Sequence, residues 1–255
     1  MPGIGMGIGI WKSSGGAVTP KTLFGSRLLL WSRADLGVTL TSGVVSAWAD
    51  QSTSANHWTQ GTTANRPAVS ASAINGKPAI SFDGSNDFLA TSGNITLGVC
   101  TIVMVAKFYR TASTEIHLEH GTDYNADNTF IFATDSATSG ANTRYVSDSR
   151  TAGVSDYSIK SKPSSTAWAR TELSIAATHA AMEYYIDGTG GASTVGVHNK
   201  NMGTTSRTKP LYLAGRSGAV VPSQMDLFEI MAIDGQITVA ERAALANYHL
   251  GQVAI

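Results

Sequence analysis

The chain has 255 residues, enough for one large β-sandwich core, and its 18 basic residues balance its 18 acidic ones, so no counterion-driven grip on a nucleic-acid backbone is expected. Charged residues make up 14% of the composition, against about 25% in an average soluble domain, and glycine reaches 26 residues, which is a turn-rich, weakly charged, β-type composition. Cys100 is the only cysteine, which excludes an intrachain disulfide and a cysteine-based metal finger.

Residues 1–20 differ in kind from the rest. Gly3, Gly5, Gly7 and Gly9 alternate with Ile4, Met6, Ile8 and Ile10, ahead of Trp11 and the flexible run 13–16. Such alternation gives a strand one apolar face, but glycine's backbone freedom keeps it from holding without a partner. The segment reads either as a disordered terminus or as a glycine-rich arm that docks elsewhere, with a neighbouring subunit as the simplest partner. It has no basic region ahead of its apolar residues, as a signal peptide would, and no apolar run nears the roughly 20 residues of a membrane span. A soluble chain made in a cytoplasm, with no membrane insertion, is the expectation.

The stretch Leu28-Leu-Leu-Trp-Ser32 reads as a strand, as does Val44-Val-Ser-Ala-Trp-Ala-Asp-Gln-Ser52, with Trp31 and Trp48 in the core. His57-Trp58-Thr59-Gln60 and Arg66-Pro67-Ala68-Val69 read as short edge pieces, because proline cannot donate to a ladder. Next, Asn75-Gly-Lys-Pro-Ala-Ile-Ser-Phe-Asp-Gly-Ser-Asn-Asp-Phe-Leu89 reads as strand, tight turn, strand, bracketed by Asn75-Gly76 and Asp83-Gly84. Residues 101–108 form the most apolar run and predict a central strand. Further strands are expected at 115–119, 129–134, 144–147, 154–159, 171–177, 182–187, 194–198 and 211–215, with Asp187-Gly188 closing a hairpin. Finally, Asp226-Leu-Phe-Glu-Ile-Met-Ala-Ile-Asp234 alternates as a strand. Thr238-Val-Ala-Glu241 is a capping box that opens a short helix reaching about residue 250, which should pack Leu245 and Tyr248 on the sandwich.

The order Leu-Trp-Ser-Arg-Ala-Asp35, Val-Ser-Ala-Trp-Ala-Asp-Gln-Ser52, residues 75–89, and the closing strand, turn and Thr-x-Ala-Glu-Arg242 helix resembles the concanavalin A-like, laminin-G-like jelly-roll domains of secreted bacterial and tailed-phage virion proteins. The resemblance spans residues 28–250. It implies an all-β, antiparallel two-sheet jelly-roll sandwich over 21–255 with a short C-terminal helix, and leaves the extended N-terminal arm over 1–20 outside it. Together with the arm and the missing export signal, it also implies a non-enzymatic structural protein of a tailed-phage virion, either capsid decoration or tail component, made in the host cytoplasm and located in the virion. In that reading the lectin-like domain faces outward, Ile4, Met6, Ile8, Ile10 and Trp11 hold neighbouring virion subunits, and the chain is a homo-oligomer. Two alternatives stay open: a carbohydrate-binding module for host-surface glycans, and a glycan-cleaving enzyme.

The glucanases of this fold resemble one another in a strand bearing Glu-x-Asp-x-Glu or Glu-x-Asp-x-x-Glu, whose period-2 carboxylates share a face. Here the nearest match is Glu115-Ile-His-Leu-Glu119, read as the polar outer face of an ordinary strand, so no catalytic residue is expected. Ser/His/Asp catalysis and phosphate binding lack their glycine motifs. No cofactor is expected unless calcium binds Asp83, Asn86 and Asp87, or the looser Asp123, Asp127 and Asn128, as loop residues of related folds do; the same residue types also cap turns. For sugar stacking the candidates are Trp58, Tyr124, Tyr145 and Tyr157, aromatics in or near loops beside polar groups.

Overall fold

The structure, a computed structural model, describes residues 18–109, 115–121, 130–135, 142–148, 157–163, 167–186, 189–191, 206–215 and 221–255. The arm residues Ile4, Met6, Ile8, Ile10 and Trp11, the loop residues Asp123, Tyr124, Asp127 and Asn128, and the strand expected at 194–198 lie outside the described residues.

In chain order the strands are β1 (Leu28–Arg33), β2 (Val38–Thr41), β3 (Val44–Trp48), β4 (Trp58–Thr59), β5 (Ala68–Ile74), β6 (Lys77–Asp83), β7 (Leu89–Thr91), β8 (Ile95–Leu97), β9 (Cys100–Phe108), β10 (Glu115–His120), β11 (Phe130–Asp135), β12 (Asn142–Asp148), β13 (Tyr157–Pro163), β14 (Ala169–Ile175), β15 (Glu183–Ile186), β16 (Thr189–Gly191), β17 (Arg207–Lys209), β18 (Leu211–Leu213) and β19 (Gln224–Asp234). Helix α1 (Pro20–Phe24) precedes them and α2 (Val239–Val253) follows. One sheet runs β16-β15-β14-β9-β19-β6-β5, with β1 also on β19; the other, of nine strands, runs β13-β12-β11-β10-β18-β7-β4-β3-β2. All pairings are antiparallel, and the two sheets enclose one core, the jelly-roll sandwich expected.

Local chemistry explains the connections. Asn75 and Gly76 have φ of 46° and 79°, the left-handed pair that a two-residue turn needs, and Ile74 faces Lys77 across it. The Asp50 carboxylate accepts the amides of Trp31, Ser52 and Asn56 at 2.7 to 2.8 Å, so the Trp-Ala-Asp-Gln-Ser motif is a loop clamp. Strand β6 and strand β7, which flank the Asp83-Gly84 turn, belong to different sheets, so this turn crosses the sandwich. The edge expected at Trp58 is corrected: β4 lies inside the nine-stranded sheet, between β3 and β7.

Strand β19 carries a bulge between Leu227 and Glu229 against β9. Met225, Leu227, Phe228, Ile230 and Ala232 pack in the main core, whereas Met231 and Ile233 pack beneath α2. The extra residue therefore flips the face of everything after it, which turns Glu229 outward toward the helix. There the carboxylate, 1% exposed, accepts Trp31 Nε1 (2.5 Å), Tyr248 OH (2.8 Å) and His249 Nε2 (2.9 Å). Helix α2 opens on the Thr238/Glu241 capping box and buries Leu245 and Tyr248, as expected, and extends to Val253.

Candidate functional site

On the outer face of the sheet that carries α2, a cleft of about 400 Å³ lies between strand β15 and the start of the helix. Its walls are Glu183, Tyr185 and Arg242 on one side and the segment from Gln236 to Val239 on the other. Strand parity places these groups. Tyr184 pairs with Leu173 and packs in the core, so Glu183 and Tyr185, paired with Ser174 and Glu172, face outward.

Each wall is held by its own bonds. Arg27 donates to the carbonyls of Asp234 and Gln236 and to Glu241, which pins the turn leading into α2. Gln236 Nε2 donates to Ser174 Oγ (2.8 Å) and the Ala181 carbonyl (3.0 Å). Since both amide hydrogens are used, Oε1 is the acceptor this side chain still offers. Arg242 grips Glu172 through Nε (2.9 Å to each oxygen) and Nη2 (2.5 Å), and its guanidinium lies 3.8 Å from the Tyr185 ring centre. Burial works against the Arg242 charge, but the Glu172 bonds outweigh it and hold its pKa above the ordinary value. Tyr185 donates to Glu183 Oε2, and burial followed by that bond pushes its phenol up to about 12.

What remains unused lies along the cleft. Arg242 Nη1 makes no bond to the described residues, Glu183 keeps Oε1 and a side chain 38% exposed, and Thr238 accepts from Glu241 while keeping its own hydroxyl proton. Val239, 79% exposed, adds an aliphatic surface. A planar cation, a carboxylate, an amide oxygen and a hydroxyl around an aromatic edge are suited to paired hydroxyl groups, each of which donates and accepts.

The residues singled out in the sequence fall elsewhere. Trp58 is fully buried, its Nε1 donating to Ser32 Oγ, so its ring is core and offers no sugar platform. Its neighbours His57 and Thr59 are the exposed ones. Strands carry Tyr145 and Tyr157, on β12 and β13, and Tyr124 lies outside the described residues. In the Asp83 turn, Asp83 Oδ1 accepts the amides of Ser85 (2.7 Å) and Asn86 (3.4 Å), Asp87 Oδ2 accepts the Asp83 amide (3.2 Å), and Asn86 Nδ2 donates to Ala64 and Asn65. Those bonds close the turn. Among the described residues no group of three or more His, Cys, Asp or Glu is placed to hold a metal ion.

The expected polar outer face of Glu115, His117 and Glu119 is corrected. All three are fully buried, and a bulge at His117 splits them. Glu119 pairs with Tyr212 and Ile131, while His117 stacks against Phe108 and Phe132 of the core. Ser223 Oγ donates to Glu115 Oε2 (3.4 Å), so it accepts from His117 Nδ1 (2.6 Å). This is a Ser/His/Glu relay by composition, sealed from solvent. Burial lowers the His117 pKa to about 3, which keeps the ring neutral.

No protein-family model matches the chain, and no curated protein does. Solved structures do resemble it in fold. Trypanosoma rangeli sialidase in complex with sialic acid superposes with a TM-score of 0.57 at 12% identity, over 89% of this chain and 33% of the sialidase. The botulinum neurotoxin serotype D ligand binding domain in complex with N-acetylneuraminic acid gives 0.57 at 10% identity, over 91% of this chain and 52% of that one. The receptor binding domain of botulinum neurotoxin D gives 0.57 at 8%, over 88% and 53%. The chain thus spans a third to a half of these proteins, and the likeness is one of fold. Within the described residues no helix is long and apolar enough to cross a membrane.

Proposed function

We propose that the chain is a carbohydrate-binding module without hydrolytic activity, and that the cleft between β15 and α2 takes a neutral saccharide. The observation that carries this reading is the convergence of Glu183, Arg242, Gln236 and Thr238 on one cleft of about 400 Å³ lined also by Tyr185. Sandwiches of the same fold, at 10 to 12% identity, were solved with sialic acid or N-acetylneuraminic acid, which supports a sugar as the ligand class. In this cleft a sugar carboxylate would meet Glu183, 3.9 Å from Arg242, so the local charge favours uncharged hydroxyls. Hydrolysis by the usual route takes two carboxyl groups across the scissile bond. Glu172 is tied to Arg242, which leaves Glu183 alone in that role.

A glycan array carrying neutral and sialylated sugars, probed with the full chain, tests this. Retention of neutral glycans, lost at least about tenfold in Glu183→Ala with no release of reducing sugar, is expected. Retention of sialylated glycans alone, or unchanged retention by Glu183→Ala, contradicts it.

The alternation of glycine with Ile4, Met6, Ile8 and Ile10 favours a second reading, in which the sandwich is displayed on a tailed-phage virion as a laminin-G-like capsid or tail component. It predicts that deletion of residues 1–16 leaves a folded chain that no longer co-purifies with particles; truncated chain on particles at normal copy number would sink it.

A further inference from the structure

The opposite sheet carries a cleft of about 280 Å³ with different chemistry. Backbone register aligns Thr39, Ala47, Thr59, Ala90 and Tyr212 in one row across β2, β3, β4, β7 and β18. A bulge at Ser46 in β3 sets the parity, so Val45 and Trp48 pack in the core while Ala47 faces out with Thr59. The cleft sits at the β2 end of this row, with Ala47 and Ala49 as its floor and Thr39, Thr59, Ser92 and His57 as its rim. His57 Nδ1 accepts the Asp50 amide at 3.1 Å, so the proton of the neutral ring is on Nε2, and the exposed ring offers a donor. The lining contains no Asp, Glu, Lys or Arg.

We propose that this cleft is a second saccharide site, selective for an N-acetylated sugar. An acetamido group presents one methyl, one carbonyl and one N–H. The floor of alanine methyls accepts the methyl, His57 Nε2 donates to the carbonyl, and a rim hydroxyl of Thr59 or Ser92 accepts the N–H. The absence of formal charge in the lining suits a neutral group and gives nothing to a carboxylate or phosphate. Because the two clefts open on the outer faces of opposite sheets, a domain holding both ligands bridges two glycans, and avidity then exceeds either affinity alone. The proposal rests on the carbohydrate reading for its ligand class and not on the cleft beside α2.

The test is a titration of the ¹⁵N-labelled full chain with N-acetylglucosamine, glucosamine and glucose. N-acetylglucosamine is expected to shift the amides of Thr39, Ala47, Thr59 and Ser92, with the other two sugars at least about tenfold weaker there. Ala47→Leu fills the floor and should abolish these shifts while leaving any response at Tyr185 and Gln236 intact; Thr59→Ala, which removes only a rim hydroxyl, should weaken them, and Glu183→Ala should leave them unchanged. Equal response to glucose, unchanged shifts in Ala47→Leu, or a response confined to the cleft beside α2 would overturn the second site. That last result would leave the first site standing.

Discussion

The Arg242 guanidinium lies on the Tyr185 ring at 3.8 Å while its Nε and Nη2 hold Glu172, so one residue both docks α2 on β14 and shapes the proposed sugar cleft. Lysine keeps the charge but loses the planar fork. Arg242→Lys should cost about 1 to 3 kcal/mol in urea unfolding and weaken neutral-glycan binding at least about tenfold. Wild-type affinity in this variant would remove Nη1 from the list of ligand contacts.

Glu229 is the buried acceptor under α2, taking hydrogen bonds from Trp31, Tyr248 and His249. Truncation leaves three buried donors without it. Glu229→Ala should destabilise the chain by about 3 to 5 kcal/mol, read as a lower urea midpoint at constant slope. A loss below about 1 kcal/mol would mean that apolar contacts alone hold the helix.

Burial lowers His117 to about 3 and His120 to about 4, from an ordinary value of 6.5. Below 6.5 the unfolded chain takes up protons that the folded chain refuses, so stability is lost as pH falls, by about 1.4 kcal/mol per pH unit for each ring. His117→Asn keeps a nitrogen at the Nδ1 position and His120→Gln one at Nε2, where the native ring donates to the Ile95 carbonyl. Each variant should flatten the stability profile between pH 6 and pH 4.5 by about that slope, measured by urea unfolding. An unchanged profile would show that neither ring is the titrating group.

Asp87 works in the opposite direction. Burial raises its carboxyl to about 6 from 3.8; the bond from the Asp83 amide opposes the rise, and the Asp83 charge adds to it. Between those values the folded chain holds the extra proton, so this group lowers stability as pH rises from about 4 to about 6. Asp87→Asn keeps an acceptor for the Asp83 amide and should melt higher than wild type at pH 7.5 but not at pH 4. An equal gain at both pH values would contradict the assignment.

The sandwich, its central strand at β9, the capping box of α2 and the buried Trp31 and Trp48 are legible in the sequence because they follow from period-2 alternation, turn dipeptides and cap chemistry. The candidate sites are not, and bulges are a main reason. At Ser46, His117 and Phe228 an inserted residue reverses which face later side chains occupy, so Ala47 faces out, Glu119 parts from His117, and Glu229 turns to the helix. A strand read by alternation alone crosses such a point without notice. Trp58 shows the related limit: β4 was readable as a strand, but burial of its indole depends on the distant Ser32. Tyr185 carries a signal that alternation does hold, since of two adjacent tyrosines in a β-hairpin one must face outward. Its partners Arg242 and Gln236 lie more than fifty residues away, and only the fold brings them to it.

The crystal structure of the full chain soaked with the neutral glycan that gives the strongest array signal tests the central claim most directly. A sugar ring against Tyr185, within hydrogen-bond reach of Glu183 Oε1 and Arg242 Nη1, is the predicted result. Occupied density at another place, with the cleft beside α2 empty under saturating glycan, would contradict it.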